Sequence, residues 1–117
     1  MIALWGRWWM LVTVRGGSMR PTFRDGDRLL VRRNGSRAVR RHALIVLAYA
    51  PSSNELMVKR VAAGPGDEVP HGMPVPDRLV PPGHLLVVGD NAAGSADSRR
   101  AGYYLTESVV GAVIRRL

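Results

Sequence analysis

Three stretches decide the fold together: Ala43-Leu44-Ile45-Val46-Leu47-Ala48-Tyr49, then Pro51-Ser52-Ser53-Asn54, then Leu56-Met57-Val58-Lys59-Arg60-Val61. The first lies within His42–Ala50 and is an unbroken apolar run of strand length, the pattern of a strand buried on both faces. The second is a hairpin loop. The third, within Glu55–Ala63, pairs back on the first. Alternation puts Met57, Lys59 and Val61 on one face and Val58 and Arg60 on the other.

Working outward, Arg28–Arg33 reads as a short strand, and so does Trp8–Val14, which Gly16-Gly17 break. Pro21-Thr22, Asp25-Gly26-Asp27 and Asn34-Gly35-Ser36 are turns, and Arg37–Arg41 is a basic loop. Downstream, Gly64-Pro65-Gly66-Asp67 turns the chain again. Residues 70–83 contain five prolines (Pro70, Pro74, Pro76, Pro81, Pro82) and cannot be a central strand or a helix interior. His84–Gly89 is a further strand, Gly89–Gly102 a polar loop, and Val109–Arg115 the last strand. No helical period runs beyond about two turns. The expectation is one domain over 1–117, all-β or mostly β, a small antiparallel coiled sheet or barrel.

Composition narrows the function. There is no cysteine, which excludes disulfides, thiolate catalysis and cysteine zinc sites. His42, His71 and His84 show no paired spacing, so neither a metal site nor a cofactor is expected. The net charge of +8 is concentrated: residues 1–41 hold ten arginines against Asp25 and Asp27, and residues 42–117 balance. Such a patch attracts polyanions, or is simply a solvated face. Of 17 basic residues only Lys59 is lysine. Arginine stays charged in proteins, whereas a buried lysine can lose its proton near neutral pH.

Residues 2–14 are apolar around Arg7, but a spanning helix needs about 20 apolar residues. This segment is therefore too short, and no cleavage site of a signal peptide follows it. Trp5, Trp8 and Trp9, with Arg7 and Arg15, read either as core residues capping the barrel or as an interfacial anchor on an anionic membrane surface.

Two features carry chemistry. Gly16-Gly17-Ser18-Met19-Arg20-Pro21-Thr22 is a glycine-led turn that presents one serine. A serine hydroxyl needs an adjacent base, and a desolvated lysine amine can serve. Lys59, flanked on its face by Met57 and Val61, meets that requirement. The Ser18 amide is then free to donate to an oxyanion. Without further support, Ser18 is equally a turn serine and Lys59 an exposed strand residue.

A third stretch, Gly89-Asp90-Asn91-Ala92-Ala93-Gly94-Ser95-Ala96-Asp97-Ser98-Arg99, is dense in hydrogen-bonding groups. Taken in order, Gly-x-Ser-Met-x-Pro-Thr, Gly-Asp, Lys-Arg-Val with Gly-Pro-Gly-Asp-Glu, Val-Pro-Pro-Gly-His, Gly-Asp-Asn, Ser-Ala-Asp-Ser-Arg and a closing Val-Gly-Ala-Val resemble the type I signal peptidase family of Ser–Lys endopeptidases over roughly residues 12–117. The resemblance implies Ser18 as nucleophile and Lys59 as general base, with Ser95 orienting the lysine and the Ser18 N–H in the oxyanion hole. It implies that Asp97 and Arg99 brace the loop, that Asp90 and Asn91 shape the floor, and that Met19 and Pro21 set the turn and line the pocket. The substrate it implies is a precursor bound as an extended strand, along Met10–Val14 and Leu56–Val58, and cleaved after small residues at −1 and −3.

The chain departs from the family pattern where only 17 residues precede Ser18, where Gly16 stands in place of a hydroxyl donor, and where the segment after the lysine shrinks to residues 70–83. A minimal, dedicated maturation protease without a full membrane anchor is expected. It would lie peripherally on a bacterial cytoplasmic membrane, with a freely soluble cytoplasmic enzyme as the alternative. The rival readings are a Ser/His/Asp hydrolase, a non-catalytic basic β-barrel binding nucleic acid, and a self-cleaving repressor-type Ser–Lys protein. The first lacks a histidine spacing and the second lacks aromatics interleaved with the arginines. The third lacks a helix-turn-helix and an upstream Ala-Gly cleavage site.

Overall fold

The central hairpin forms as its sequence dictates. In the computed structural model, which describes residues 2–5 and 7–117 and side chains from Arg7 onward, Leu44–Ala48 pairs antiparallel with Leu56–Ala63, from Leu44 opposite Arg60 to Ala48 opposite Leu56. Residues of the second strand alternate strictly: Met57, Lys59, Val61 and Ala63 are buried and their neighbours half-buried.

In chain order the strands are β1 (Ile2–Trp5), β2 (Trp9–Thr13), β3 (Arg28–Arg32), β4 (Leu44–Ala48), β5 (Leu56–Ala63), β6 (His84–Val88), β7 (Tyr104–Leu105) and β8 (Val109–Arg116). They make one antiparallel sheet in the order β1-β2-β3-β8-β4-β5-β6-β7. Bulges at Leu30/Val31 against β8, at Val46/Leu47 against β8, and at Val61/Ala63 against β6 bend the strands and raise the local twist. The sheet coils but does not close, which fits the expected mostly-β class.

Because β4 lies in the middle of the sheet, it is buried on both faces. Val46 joins one apolar cluster with Met10, Val12, Leu29 and Val31, while Ile45 and Leu47 join another with Met57, Val61, Leu85 and Val87. Burial of each such side chain is worth about 1.5–3 kcal/mol, so β4 fixes both halves of the coil. The proline-rich stretch makes a third, smaller cluster. Val80 is buried against Ala63 and Leu86, with Val69, Met73 and Val75 packed around them, and its extended backbone contributes one bridge, Glu68 to Leu79.

Two expectations need correction. The strand expected over Trp8–Val14 is present as β2, but it is not the first: residues 2–5 form β1 and pair back on it, with Ile2 opposite Val12 and Trp5 opposite Trp9. Gly6 and the side chain of Trp5 lie outside the described residues. The polar loop also contains structure: a 3₁₀ turn over Ala92–Gly94, a single helical turn α1 over Ser98–Ala101, and the short strand β7 just beyond it. Among the described residues no helix is long and apolar enough to cross a membrane.

Candidate active site

The Ser18 turn lies between β2 and β3. Gly16 starts it at φ +80°, a conformation that side chains with a Cβ avoid. Its N–H is held by Asp25 Oδ1 at 2.8 Å. Met19 is 1% exposed and anchors the turn in the core beside Phe23, and the Phe23 N–H closes on the Met19 carbonyl at 2.9 Å. From the far side, the Asn91 N–H donates to the Ser18 carbonyl at 2.9 Å and Asn91 Nδ2 to the Gly17 carbonyl at 3.0 Å. Ser18 is thus half-buried on a turn gripped at both ends. Among the described residues its own N–H has no acceptor.

Lys59 sits in mid-strand on β5, 4% exposed. Its Nζ donates to Ser95 Oγ at 2.9 Å, and Ser95 Oγ in turn donates to Asp97 Oδ2 at 2.7 Å. The serine proton is committed to the carboxylate, so Ser95 can only accept from the amine, and that fixes the amine's orientation. Burial lowers the Lys59 pKa from its ordinary value. The Asp97 charge opposes this and the Arg99 charge adds to it.

Asp97 is 1% exposed. Burial pushes its pKa upward, but hydrogen bonds outweigh it and hold the carboxyl well below the usual range. Its donors are Arg99 Nη2 at 2.6 Å, Arg99 Nε and N at 3.0 Å, the Gly89 N–H at 2.7 Å and Ser95. Arg99 also reaches the Gly89 carbonyl at 2.9 Å. A Cβ on Gly89 would collide with Ser95 Oγ and come within 2.7 Å of the Ser18 carbonyl oxygen. Only glycine lets the loop close over both.

Asp90 works one layer back. It accepts two hydrogen bonds from Arg60, Nε to Oδ1 at 2.8 Å and Nη2 to Oδ2 at 2.9 Å, and one from Thr22 Oγ1. Arg60 lowers the Asp90 pKa, burial opposes, and Thr22 adds to the lowering. Since Arg60 and Lys59 are neighbours on opposite faces of β5, a single strand holds the site from both sides. Alternation alone turns Arg60 away from Lys59; its partner, 30 residues on, is visible only in the fold.

A cavity of about 340 Å³ opens between residues 12–19 and β5, and Ser18, Met19, Met57 and Lys59 all line it. Tyr49, Gly94 and Ala96 complete its wall; Gly94 and Ala96 belong to the loop that the sequence marks, whereas Tyr49 belongs to no motif. Pro21 is a correction: it is exposed, follows a cis peptide bond from Arg20 and does not line the cavity. The proposed edge at Met10–Val14 is another. Leu4, Ala3 and Ile2 of β1 pair with Met10, Leu11 and Val12, so on that side only the backbone from Thr13 is open. On β5 the pairing with β6 starts at Arg60, so Leu56–Val58 is open as expected. No histidine lines the cavity, and among the described residues no cluster of His, Asp and Glu has the geometry to hold a metal ion.

A profile described as signal peptidase, peptidase S26, matches residues 1–75 and 71–117. The chain belongs to this family. It is similar to signal peptidase I V of Bacillus subtilis (strain 168), 26% identical over 135 residues that cover 86% of this chain and 80% of that protein. It is similar also to signal peptidase IB of Staphylococcus aureus (strain Mu50 / ATCC 700699), 27% identical over 141 residues covering 86% and 73%. The chain is thus a serine peptidase of signal-peptidase type, and the cavity that joins Ser18 to a buried lysine is its candidate active site.

Proposed function

We propose that this peptidase cleaves a leader from a precursor protein after small residues, with Ser18 as nucleophile and Lys59 as general base. The observation that carries the reading is the state of Lys59: the only lysine of the chain, 4% exposed, bonded to Ser95, and lining one cavity with Ser18.

The precursor lies as an added strand between the open edge at Leu56–Val58 and the backbone from Thr13, where main-chain hydrogen bonds supply affinity. Neutral Lys59 takes the Ser18 hydroxyl proton as Oγ attacks the scissile carbonyl carbon. The Ser18 N–H donates to the oxyanion. Gly16 cannot add a second donor, because it has no side chain and its N–H is held by Asp25. Collapse breaks the C–N bond, and the lysine ammonium gives its proton to the leaving amine. Water then attacks the acyl-enzyme, Lys59 accepts its proton, and Ser18 leaves re-protonated.

The test is cleavage of precursor-derived peptides by wild type, Ser18→Ala and Lys59→Arg. Arginine keeps the charge but cannot act as base, so both variants should be inactive. An active arginine variant would end the Ser–Lys mechanism.

The same reading places the enzyme on an anionic membrane surface. Register puts Trp9 opposite Arg32, Leu11 opposite Leu30 and Thr13 opposite Arg28. Among the described residues Leu11 and Leu30, both half-buried, belong to none of the apolar clusters, and Trp8 and Trp9 are 61% and 37% exposed. Cations among exposed indoles and aliphatic chains suit a lipid headgroup layer. Sedimentation with vesicles should show binding when the lipid is anionic and little when it is neutral. Equal binding to both would refute this location.

A further inference from the structure

A second cavity, about 460 Å³, lies on the other side of the Ser95–Arg99 loop. It shares two wall residues with the catalytic cavity, Tyr49 and Ala96, so the two are neighbouring compartments separated by those side chains. Its remaining wall includes Arg100, Tyr104 and Leu105. Nothing in the Ser18–Lys59 chemistry uses it.

Its polar groups are unusual in kind. Among the described residues the Arg100 guanidinium has no ion-pair or hydrogen-bond partner, and neither do the phenols of Tyr49 and Tyr104. Burial holds the Tyr104 phenol above its ordinary pKa, with Tyr49 and Asp97 adding to the effect, so at neutral pH it is a donor. Asp97 also lines the cavity, but its charge is neutralised by Arg99 and by two backbone N–H groups. Tyr103, the third phenol of the wall, donates to Asp77 at 2.7 Å and is already satisfied. The cavity therefore offers one unpaired cation and two unpaired donors, and no unpaired acceptor charge.

We propose that this cavity is a specificity subsite for a carboxylate side chain of the precursor. It is filled by the same chain that occupies the catalytic cavity and passes over Tyr49 and Ala96. The inference rests on the proteolytic reading above and names a feature of its substrate: an acidic residue near the scissile bond, beyond the small residues themselves. Arg100 is exposed and Tyr49 is 51% exposed, so an arginine–carboxylate pair here is partly screened by solvent and corresponds to roughly a two- to fivefold change in affinity. Arg100 is a specificity residue here, since it touches neither reacting atom.

The experiment walks a single glutamate, with glutamine and lysine controls, through the positions on either side of the cleavage site of one peptide. Wild type, Arg100→Gln and Arg100→Glu are compared by kcat/KM. In parallel, binding of the same peptides to the uncleaving Ser18→Ala protein is followed by fluorescence anisotropy. One position should favour glutamate about two- to fivefold, through KM rather than kcat. That preference should vanish in Arg100→Gln and turn toward lysine in Arg100→Glu. Cleavage that ignores both charge and Arg100 at every position overturns the subsite and leaves the protease standing. Binding that depends on Arg100 without any cleavage keeps the subsite and overturns the protease. A free acidic tripeptide that competes as well as the linked glutamate overturns the claim that the precursor itself fills the cavity.

Discussion

Ser18 and Lys59 face one cavity from opposite kinds of structure. Ser18 sits on a half-buried turn whose carbonyls and glycines are gripped by Asn91 and Asp25. Lys59 sits in the middle of a strand, 4% exposed, with its amine tied to Ser95 and through it to Asp97. The difference fits the roles proposed for the two residues. A nucleophile has to meet substrate, so its turn is presented outward and stiffened from behind. A lysine base has to be uncharged, so it is dried by the sheet. The two halves therefore place different demands on stability: the serine costs little to hold, whereas the lysine is a desolvated amine, a cost that the proposed chemistry accounts for.

The sharpest break of this comparison removes each in turn. Ser18→Ala and Lys59→Met should each lower kcat by about a thousandfold or more, and their thermal melts should part. The serine variant should melt as wild type does. The methionine variant should gain about 1 kcal/mol, since an apolar chain of similar length replaces a buried amine. A marked loss of stability in Lys59→Met would mean that the lysine is structural.

Next in size is Asp97→Asn. It leaves Arg99 without its counter-charge and weakens five hydrogen bonds at once. We expect a loss of about 2–3 kcal/mol in denaturant unfolding and an activity loss of about a hundredfold, because Ser95 no longer orients the amine. Ser95→Ala should cost activity with little stability, which separates orientation from bracing.

The pH profile comes third. The native Lys59 pKa is lowered from 10.5, first by burial, and the active form is the neutral amine. Cleavage should therefore rise with pH through that lowered value and then level. Across the interval between the native value and 10.5 the unfolded chain binds more protons, so stability also rises with pH there. Asp97 is the group that opposes the lowering. The residual activity of Asp97→Asn should thus have its acid limb at lower pH than wild type, and a shift to higher pH would reject the assignment. The smallest effect is that of the histidines. Replacing His42, His71 and His84 together by Gln should leave kcat within about twofold, and a large loss would revive a histidine mechanism.

Much of the site is legible in the sequence, for a physical reason. The strands that carry it are buried, and burial writes alternation into Leu56–Ala63 and an apolar run into Leu44–Ala48. The proposed dyad is legible through the ordered motifs and through the solitary lysine. What escapes is non-local. β1 reads together with β2 as one apolar stretch because Arg7 is the only charged residue within 2–14, and from that comes the misplaced edge at Met10–Val12. β7 is two residues long, too short to leave a pattern. The pairing of Arg60 with Asp90 and the wall supplied by Tyr49 join residues far apart in sequence. Pro21 fits the turn motif, yet which way a turn residue points depends on the neighbours that pack against it.

The last strand in sequence, β8, lies in the middle of the sheet, hydrogen-bonded to β3 on one side and β4 on the other. The serine belongs to the half before it and the lysine to the half after it. During synthesis the two halves wait for residues 109–116 to leave the ribosome before the sheet can be completed, and such late, long-range pairings are slow to form. The order of strands thus sets an order of assembly: a nascent chain that already contains both Ser18 and Lys59 still lacks the strand that joins their two halves of the sheet.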